Sequence, residues 1–456
     1  MAGVHGLGGM FDARAKFREL TQVFDPIYQP RQAAADGPGQ SYVPETHEDY
    51  RRQLDASLDL NDNAKLLVAG QPGCGKTTLL LSLADDLRRQ GRIVAFVDLE
   101  AHTAVQDLDP VEMYLAALAE ILAEAERRKV PVEREALDQC QTWLTRLRLG
   151  REPTELSTSL RDLLSIARSD QALRDEMRVR MKPGTEDDPL LLLSCVLRSL
   201  ASRRPVVILD GLDKLPPNRA SRTFLDDKKK PMAEAPGAAI LTIPLSVVYE
   251  PTFNVLSGRY NNADSAVLPA VRLWDFEPQT RQRKSSEKGM NILRKIVAAR
   301  VDPIDTKIIL PAVVDRAIVG SGGNIRELAR LMQASVVKAY ARGSSFIELQ
   351  DMEAAIADQR ESFRRAYDPS FRTLLLRVRT EFRLDDSSDA AKQLLYGLWV
   401  VEYRNGSAWY SLPEPVEQLL QHMEARRFVR VGAQVAKVSA RRMNARRRLQ
   451  PERPTP

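Results

Sequence analysis

The stretch KLLVAGQPGCGKTTLLLSLADDL, residues 65–87, decides the fold of this chain. Its first six residues are an apolar run of the length and character of a strand buried on both faces. Its last eleven open a helix. Between them GQPGCGKT (70–77) satisfies the spacing Gly-x4-Gly-Lys-Ser/Thr in full. Each residue type there has a physical task. Glycines let backbone N–H groups turn inward and approach phosphate oxygens. The N-terminus of the helix adds partial positive charge. Lys76 neutralises the β- and γ-phosphates of ATP, and Thr77 offers a hydroxyl to Mg²⁺. Gly70, Gln71, Pro72, Gly73, Cys74, Gly75, Lys76, Thr77 and Thr78 are therefore the expected cradle. Cys74 reads as a small loop residue, with a redox role as the alternative.

Further along, VVILDGLDKL (206–215) is a second acidic element. Four apolar residues end in Asp210, at the C-terminal tip of a buried strand, where an aspartate joins Thr77 in holding Mg²⁺. The plain alternative is an ordinary strand end. Hydrolysis also needs a group that orients water. The position directly after Asp210 is Gly211, so Asp213 is the nearest acid, with Asp98 and Glu100 at the tip of the neighbouring strand next. SGGNIRELARLM (321–332) puts Arg326 in the first turn of a helix, from which it can reach over a triphosphate and report the γ-phosphate. Thr242, late in the fourth apolar run, can bond the attacking water or serve as a buried strand threonine. Arg259, in LSGRY, can enter a neighbouring copy's site as an arginine finger or stay solvated.

Five apolar runs, KLLVAG (65–70), IVAFVDL (93–99), VVILDGL (206–212), AAILTIPL (238–245) and AVLPAVRLW (266–274), are mostly separated by helical stretches. That alternation predicts an α/β fold with a parallel sheet. The helical interval 102–205 between the second and third runs is too long for one crossover and reads as an insertion. The nucleotide-binding core then spans 42–276, entered through a helix at EDYRRQLDASLDL (48–60). After Phe276 the strand signal stops, and helices at 286–301, 312–319, 324–342 and 350–366 predict a helical lid over 277–367. From 368 to 440, helices followed by alternating residues around an Asn405-Gly406 turn describe a winged helix. Residues 1–41 read as an irregular extension ending in the linker RQAAADGPGQS (31–41), and 441–456 as a basic tail.

At 456 residues the chain is long enough for two to four domains at roughly 150 residues each, with 43% hydrophobic and 28% charged residues and a net charge of +6. The charge is uneven: Phe371 to Pro456 holds 16 Lys/Arg and 9 Asp/Glu, a local +7. Such a region is either a solvated tail or a contact for nucleic acid or another polyanion. Cys74, Cys140 and Cys195 are too few and too scattered for a disulfide framework or zinc site. The longest apolar run, Leu190 to Leu197, stops at Arg198, short of a membrane span. The N-terminal residues lack the pattern of a secretory signal, and a cytoplasmic location is expected.

At these residues the chain resembles the AAA+ superfamily of ATPases. GQPGCGKT looks like Walker A, VVILD like Walker B, Thr242 like sensor 1 and Arg326 like sensor 2. The order of core, lid and winged helix is similar to origin-recognition-type initiator ATPases. DGLD (210–213), with a small residue after the first Asp, looks instead like STAND and NACHT signalling ATPases, although Lys214 stands where that pattern usually has an acid. The resemblance implies a sheet order of 5-1-4-3-2, a nucleotide between core and lid, and assembly into homo-oligomers. It also implies bacterial relatives that act in DNA transactions or in antiviral defence against phage.

Two function classes fit. One is a slowly hydrolysing ATP-dependent switch that oligomerises and acts on or near DNA through its winged helix and basic C-terminus. The other is a signalling ATPase that controls a partner effector protein, with the winged helix packed on the core. Gly211 also admits an ATP-bound scaffold without useful turnover.

Overall fold

Side chains alternate between two buried faces along each apolar run, and that alternation builds the sheet. The computed structural model describes residues 4–25, 42–146, 155–181, 187–215, 232–262, 266–384 and 387–424. The linker at 31–41, residues 425–440 of the third unit and the basic tail at 441–456 lie outside the described residues. Strands β1 (Lys65–Gly70), β2 (Val94–Asp98), β3 (Val206–Asp210), β4 (Ala238–Ile243) and β5 (Val267–Leu268) pair in parallel in the order β2-β3-β4-β1-β5. This is the implied order 5-1-4-3-2, read from the other edge. Leu66, Val68, Val206, Ile208 and Ile240 share one apolar cluster with helices α2 (Glu48–Leu60) and α3 (Lys76–Arg89). Leu67, Ala69, Val207, Leu209 and Leu241 face the opposite cluster. Gly70 and Asp210 end β1 and β3 at the same sheet edge, the edge at which open α/β sheets bind ligands.

The interval between β2 and β3 is helical, as expected: α4 (Pro110–Arg127), α5 (Arg134–Arg146), α6 (Leu156–Ser169), α7 (Gln171–Arg180) and α8 (Pro189–Ser199). A capping box of Asp109 and Glu112, with Pro110 at the first position, starts α4. Its Met113, Leu115, Leu118 and Ile121 are fully buried in the cluster that covers the second sheet face.

The fifth run forms a shorter strand than the sequence suggests. Pro269 has no N–H for the ladder, and the chain leaves the sheet as an extended strap. Ala270 N–H donates to the Glu402 carbonyl (3.1 Å) and Val271 N–H to the Gly323 carbonyl (3.1 Å). Gly323 sits at φ +81°, where a Cβ would stand 2.1 Å from the Val271 oxygen. The strap then enters an antiparallel hairpin, β6 (Trp274–Glu277) and β7 (Gln282–Ser285). This corrects the expectation that strands stop at Phe276. The signal was the alternation Trp-Asp-Phe-Glu: Phe276 stacks on Trp409 at 5.1 Å between ring centres.

Helices α9 (Glu287–Val301), α10 (Pro311–Ser321), α11 (Ile325–Ala341) and α12 (Leu349–Arg365) follow, close to the expected spans. Their core takes in three residues from a region read as irregular. Residues Val4–Val23 form helix α1, and Phe17, Leu20 and Phe24 are buried among the α9–α12 side chains. The glycines of HGLGG masked the spacing, since glycine weakens helices in isolation and packing supplies the missing stability.

At the C-terminal end, α13 (Arg372–Glu381) and α14 (Asp389–Tyr396) precede the hairpin β8 (Val401–Asn405) and β9 (Ser407–Ser411), with Gly406 at φ +89° in the turn. A helix at 414–424 follows. Leu395, Trp399, Val400 and Leu412 belong to the same apolar cluster as the β1, β3 and β4 side chains.

If α1 shares the lid core, Phe17→Ala should destabilise the protein by about 3 kcal/mol, the usual cost of deleting a buried aromatic ring. Urea denaturation of the variant checks this; an unchanged midpoint would detach α1 from that core.

Candidate functional site

The site is built from the loop leaving β1. Gly75, at φ +106°, precedes α3 and turns the chain so that Lys76 begins the helix. The Lys76 ammonium is buried. It donates to the carbonyls of Gly70 (2.9 Å) and Gln71 (3.1 Å) and pairs with Asp213 at 2.9 Å. Burial works to lower its pKa, but Asp213 and other nearby anionic groups outweigh burial and hold the ammonium above its usual range. Thr77 donates its hydroxyl proton to Asp210 Oδ2 at 2.7 Å. Burial first, and the adjacent Asp213 second, push the Asp210 carboxyl up to about 6.

Two hard oxygen donors, Thr77 and Asp210, thus stand side by side, and burial with the adjacent Asp213 raises the carboxyl toward neutrality. That donor set suits Mg²⁺, which takes one or two protein oxygens and completes its shell with phosphate and water. Among the described residues no group of three or more His, Cys, Asp or Glu side chains is placed to hold a metal ion.

The other acids divide plainly. Gly211, at φ +99°, turns the chain after β3 and brings Asp213 into the cleft beside Lys76. Asp98 instead caps a one-turn helix by accepting from Glu100 N–H (3.1 Å). Glu100 is ion-paired with Lys214. Thr242 is fully buried under the turn and accepts from Leu212 N–H at 3.1 Å, so it holds the segment bearing Asp213 and does not line the cleft.

The helical lid presses directly on the loop. Asn324, fully buried, caps α11 by accepting from Arg326 and Glu327 N–H groups (both 3.1 Å), and donates to the Pro72 carbonyl (2.8 Å). Arg326 N–H also reaches the Gly73 carbonyl (3.2 Å). Gly73 is at φ +83°, and a Cβ there would lie 2.3 Å from Arg326 Cβ, so only glycine permits this approach. The result is an open cleft lined by Lys76, Thr77, Asp213 and Arg326. It adjoins a more apolar space lined by Val43, His47, Leu79 and Ile296. The His47 ring donates from Nε2 to the Cys74 carbonyl (2.7 Å), and burial pushes its pKa down to about 4. Cys74 is fully buried, and burial pushes its thiol up, away from redox reactivity.

Arg300 was not singled out in the sequence, and Gln71, expected as part of the phosphate cradle, occupies a free position of the loop pattern. Its buried amide donates to the carbonyls of Leu395 (2.9 Å) and Val400 (2.7 Å) and accepts from Glu402 N–H (2.9 Å). Arg300, in the last turn of α9, lines both parts of the cleft. No local pattern marks either one. Arg259, by contrast, does not join the site of its own chain. Asn261 beside it donates from its N–H to the Lys65 carbonyl at the start of β1, the opposite end of the strand from the loop.

Residues 56–225 match the KAP family P-loop domain, a span that carries the loop, Asp210 and Asp213. The chain therefore contains a P-loop NTPase domain. No curated protein matches it by sequence. Among solved structures it is similar to Cdc6p from Pyrobaculum aerophilum (14% identity, covering 88% of this chain and 98% of that one, TM-score 0.40). It is also similar to the Aeropyrum pernix ORC1 protein in complex with DNA (13%, 88% and 96%, TM-score 0.38). A third is a Walker-type ATPase of Pyrococcus abyssi (14%, 81% and 93%, TM-score 0.37).

Glu402, whose N–H holds Gln71, is itself a buried acid. Burial pushes its carboxyl up to about 7, against the opposing hydrogen bond from Tyr249 (2.8 Å) and the charge of Arg404. A carboxyl raised on folding keeps its proton in the native state after the unfolded chain has lost it. The associated stability is full below about pH 4.5 and is lost as pH rises to 7. Glu402→Gln should remove that slope and be more stable than wild type at pH 8 by about 3 kcal/mol, at 1.36 kcal/mol per pH unit. Denaturant titrations at pH 5 and pH 8 test it; parallel pH profiles would place the Glu402 carboxylate in a solvated setting.

Proposed function

We propose that this chain is an ATP-dependent switch with slow hydrolysis. One observation carries the proposal: Lys76 and Thr77, Asp213 and Arg326 line one cleft from three separate elements, the β1–α3 loop, the turn after β3 and the lid, with Asp210 bonded to Thr77. The cradle is Gly70 to Thr78, with Thr77 and Asp210 as the oxygens for Mg²⁺. Mg²⁺ held there would supply Lewis-acid charge to the phosphates. A triphosphate gives Lys76 a stronger anion than Asp213, which frees that carboxylate, already in the cleft, to orient water. Gly211 in place of an acid supports slow turnover. Arg326 reads the γ-phosphate, and residues 277–367 act as the lid.

Two outputs remain in play, each with its own support. The local charge of +7 from Phe371 to Pro456 favours a homo-oligomer that acts on or near DNA through a winged-helix unit at 368–440 and the basic tail. The three hydrogen bonds from Gln71 to the C-terminal unit favour the second output, control of a partner effector by a unit packed on the core.

Lys76→Ala should abolish ATP binding while the protein stays folded, because a micromolar site is worth about 8 kcal/mol and loses its fixed charge. Unchanged affinity by calorimetry in a folded variant would refute the site. Duplex DNA should bind with an affinity that falls steeply with salt, and removal of residues 437–456 should flatten that dependence without touching ATP binding. Fluorescence anisotropy at two salt concentrations decides; absence of binding at low salt with ATP present would favour the effector output.

A further inference from the structure

Arg300 differs from most arginines of the lid. Arg294 pairs with Asp315 and Glu287, Arg316 with Glu353 and Glu414, and Arg342 with Glu348 and Asp351. Arg300 makes no hydrogen bond or ion pair with the described residues, and its Nε is buried without a partner. A guanidinium presents five donors and stays charged in proteins. Burial alone lowers its pKa, to about 10. Burying such a group costs free energy unless an anion meets it. Asp25 lines the same cleft, yet burial is the one influence on the Arg300 pKa, with no contribution from a carboxylate.

Its position says which anion. The phosphate side of the cleft, with Lys76, Thr77 and Arg326, and the more apolar side, with Val43 and Leu79, share four lining residues: Gly75, Thr78, Ile325 and Arg300. A nucleotide that lies with its base in the apolar part and its terminal phosphates at Lys76 puts its α-phosphate at that junction. We propose that Arg300 binds the α-phosphate of the nucleotide, the phosphate common to ATP and ADP. This rests on the nucleotide-binding role proposed above. Ribose hydroxyls do not compensate a buried cation, whereas a phosphate oxygen does. Arg300 therefore sets how tightly either nucleotide is retained, while Arg326 is left to distinguish them.

The test compares wild type with Arg300→Met, which keeps the apolar stem and removes the charge. Affinities for MgATP, MgADP and Mg-2′-deoxy-ATP are measured by calorimetry, and the melting temperature is measured without nucleotide. All three affinities should fall by the same factor, about 10- to 100-fold, the range of a hydrogen bond to a charged group. The nucleotide-free melting temperature should stay equal or rise, because a half-buried charge without a partner is gone. A loss confined to MgATP would move Arg300 to the γ-phosphate and overturn the assignment. Unchanged affinities, or a lowered nucleotide-free melting temperature with the nucleotide-induced shift intact, would overturn it as well. Wild-type protein that binds none of the three would refute the nucleotide site itself, and the assignment with it.

Discussion

Everything at the cleft follows from one buried charge. The Lys76 ammonium is inside the protein, and an ammonium there must be surrounded by oxygen. Two loop carbonyls and Asp213 do this. The requirement fixes the inward curl of residues 70–75 and therefore their glycines. It also fixes the turn after β3, because Asp213 reaches Lys76 only if Gly211 reverses the chain. Thr242 is drawn in as the buttress under that turn. Residues that look like separate motifs along the chain are in this sense one solution to the placement of a single cation.

Arg326 and Arg300 bring positive charge to the cleft from the lid, while Lys76 and Lys214 stand with Asp213 on the sheet side. Burial and the neighbouring Asp213 push the Asp210 carboxyl, bonded to Thr77, up toward neutrality. A metal–phosphate pair would meet the lid arginines with its phosphates and Asp210 with its cation.

What could be read from the sequence was whatever is local. The loop 70–77, the acid at the end of β3, the four lid helices and the Asn405-Gly406 hairpin each declare themselves within a dozen residues, by periodicity or by turn chemistry. The order of the sheet came from resemblance and holds. The parts missed are stabilised by distant partners. Helix α1 contains glycines that weaken it in isolation and is completed by α9 and α11. Hairpin β6–β7 rests on Trp409 and is too short for its alternation to stand out. Thr242 sits on the expected strand, yet the structure spends its hydroxyl on Leu212 N–H. Gln71 was expected in the phosphate cradle, yet its amide is spent on the C-terminal unit, and Arg300 lies where no local pattern marks it; the role of each comes from what the fold brings against it.

The Gln71 amide joins residues 324, 329 and 331 positions apart in the chain. Both of its N–H donors and its carbonyl are committed to the backbone around α14 and β8. The loop that would hold phosphate and the hairpin unit thus share a boundary condition, and work done at one end is felt at the other. Linkage makes the exchange symmetric: a ligand that reshapes the loop loosens or tightens the hairpin unit, and whatever grips that unit alters affinity at the loop by the same factor. The coupling would have no built-in direction, because the same three hydrogen bonds serve both ends.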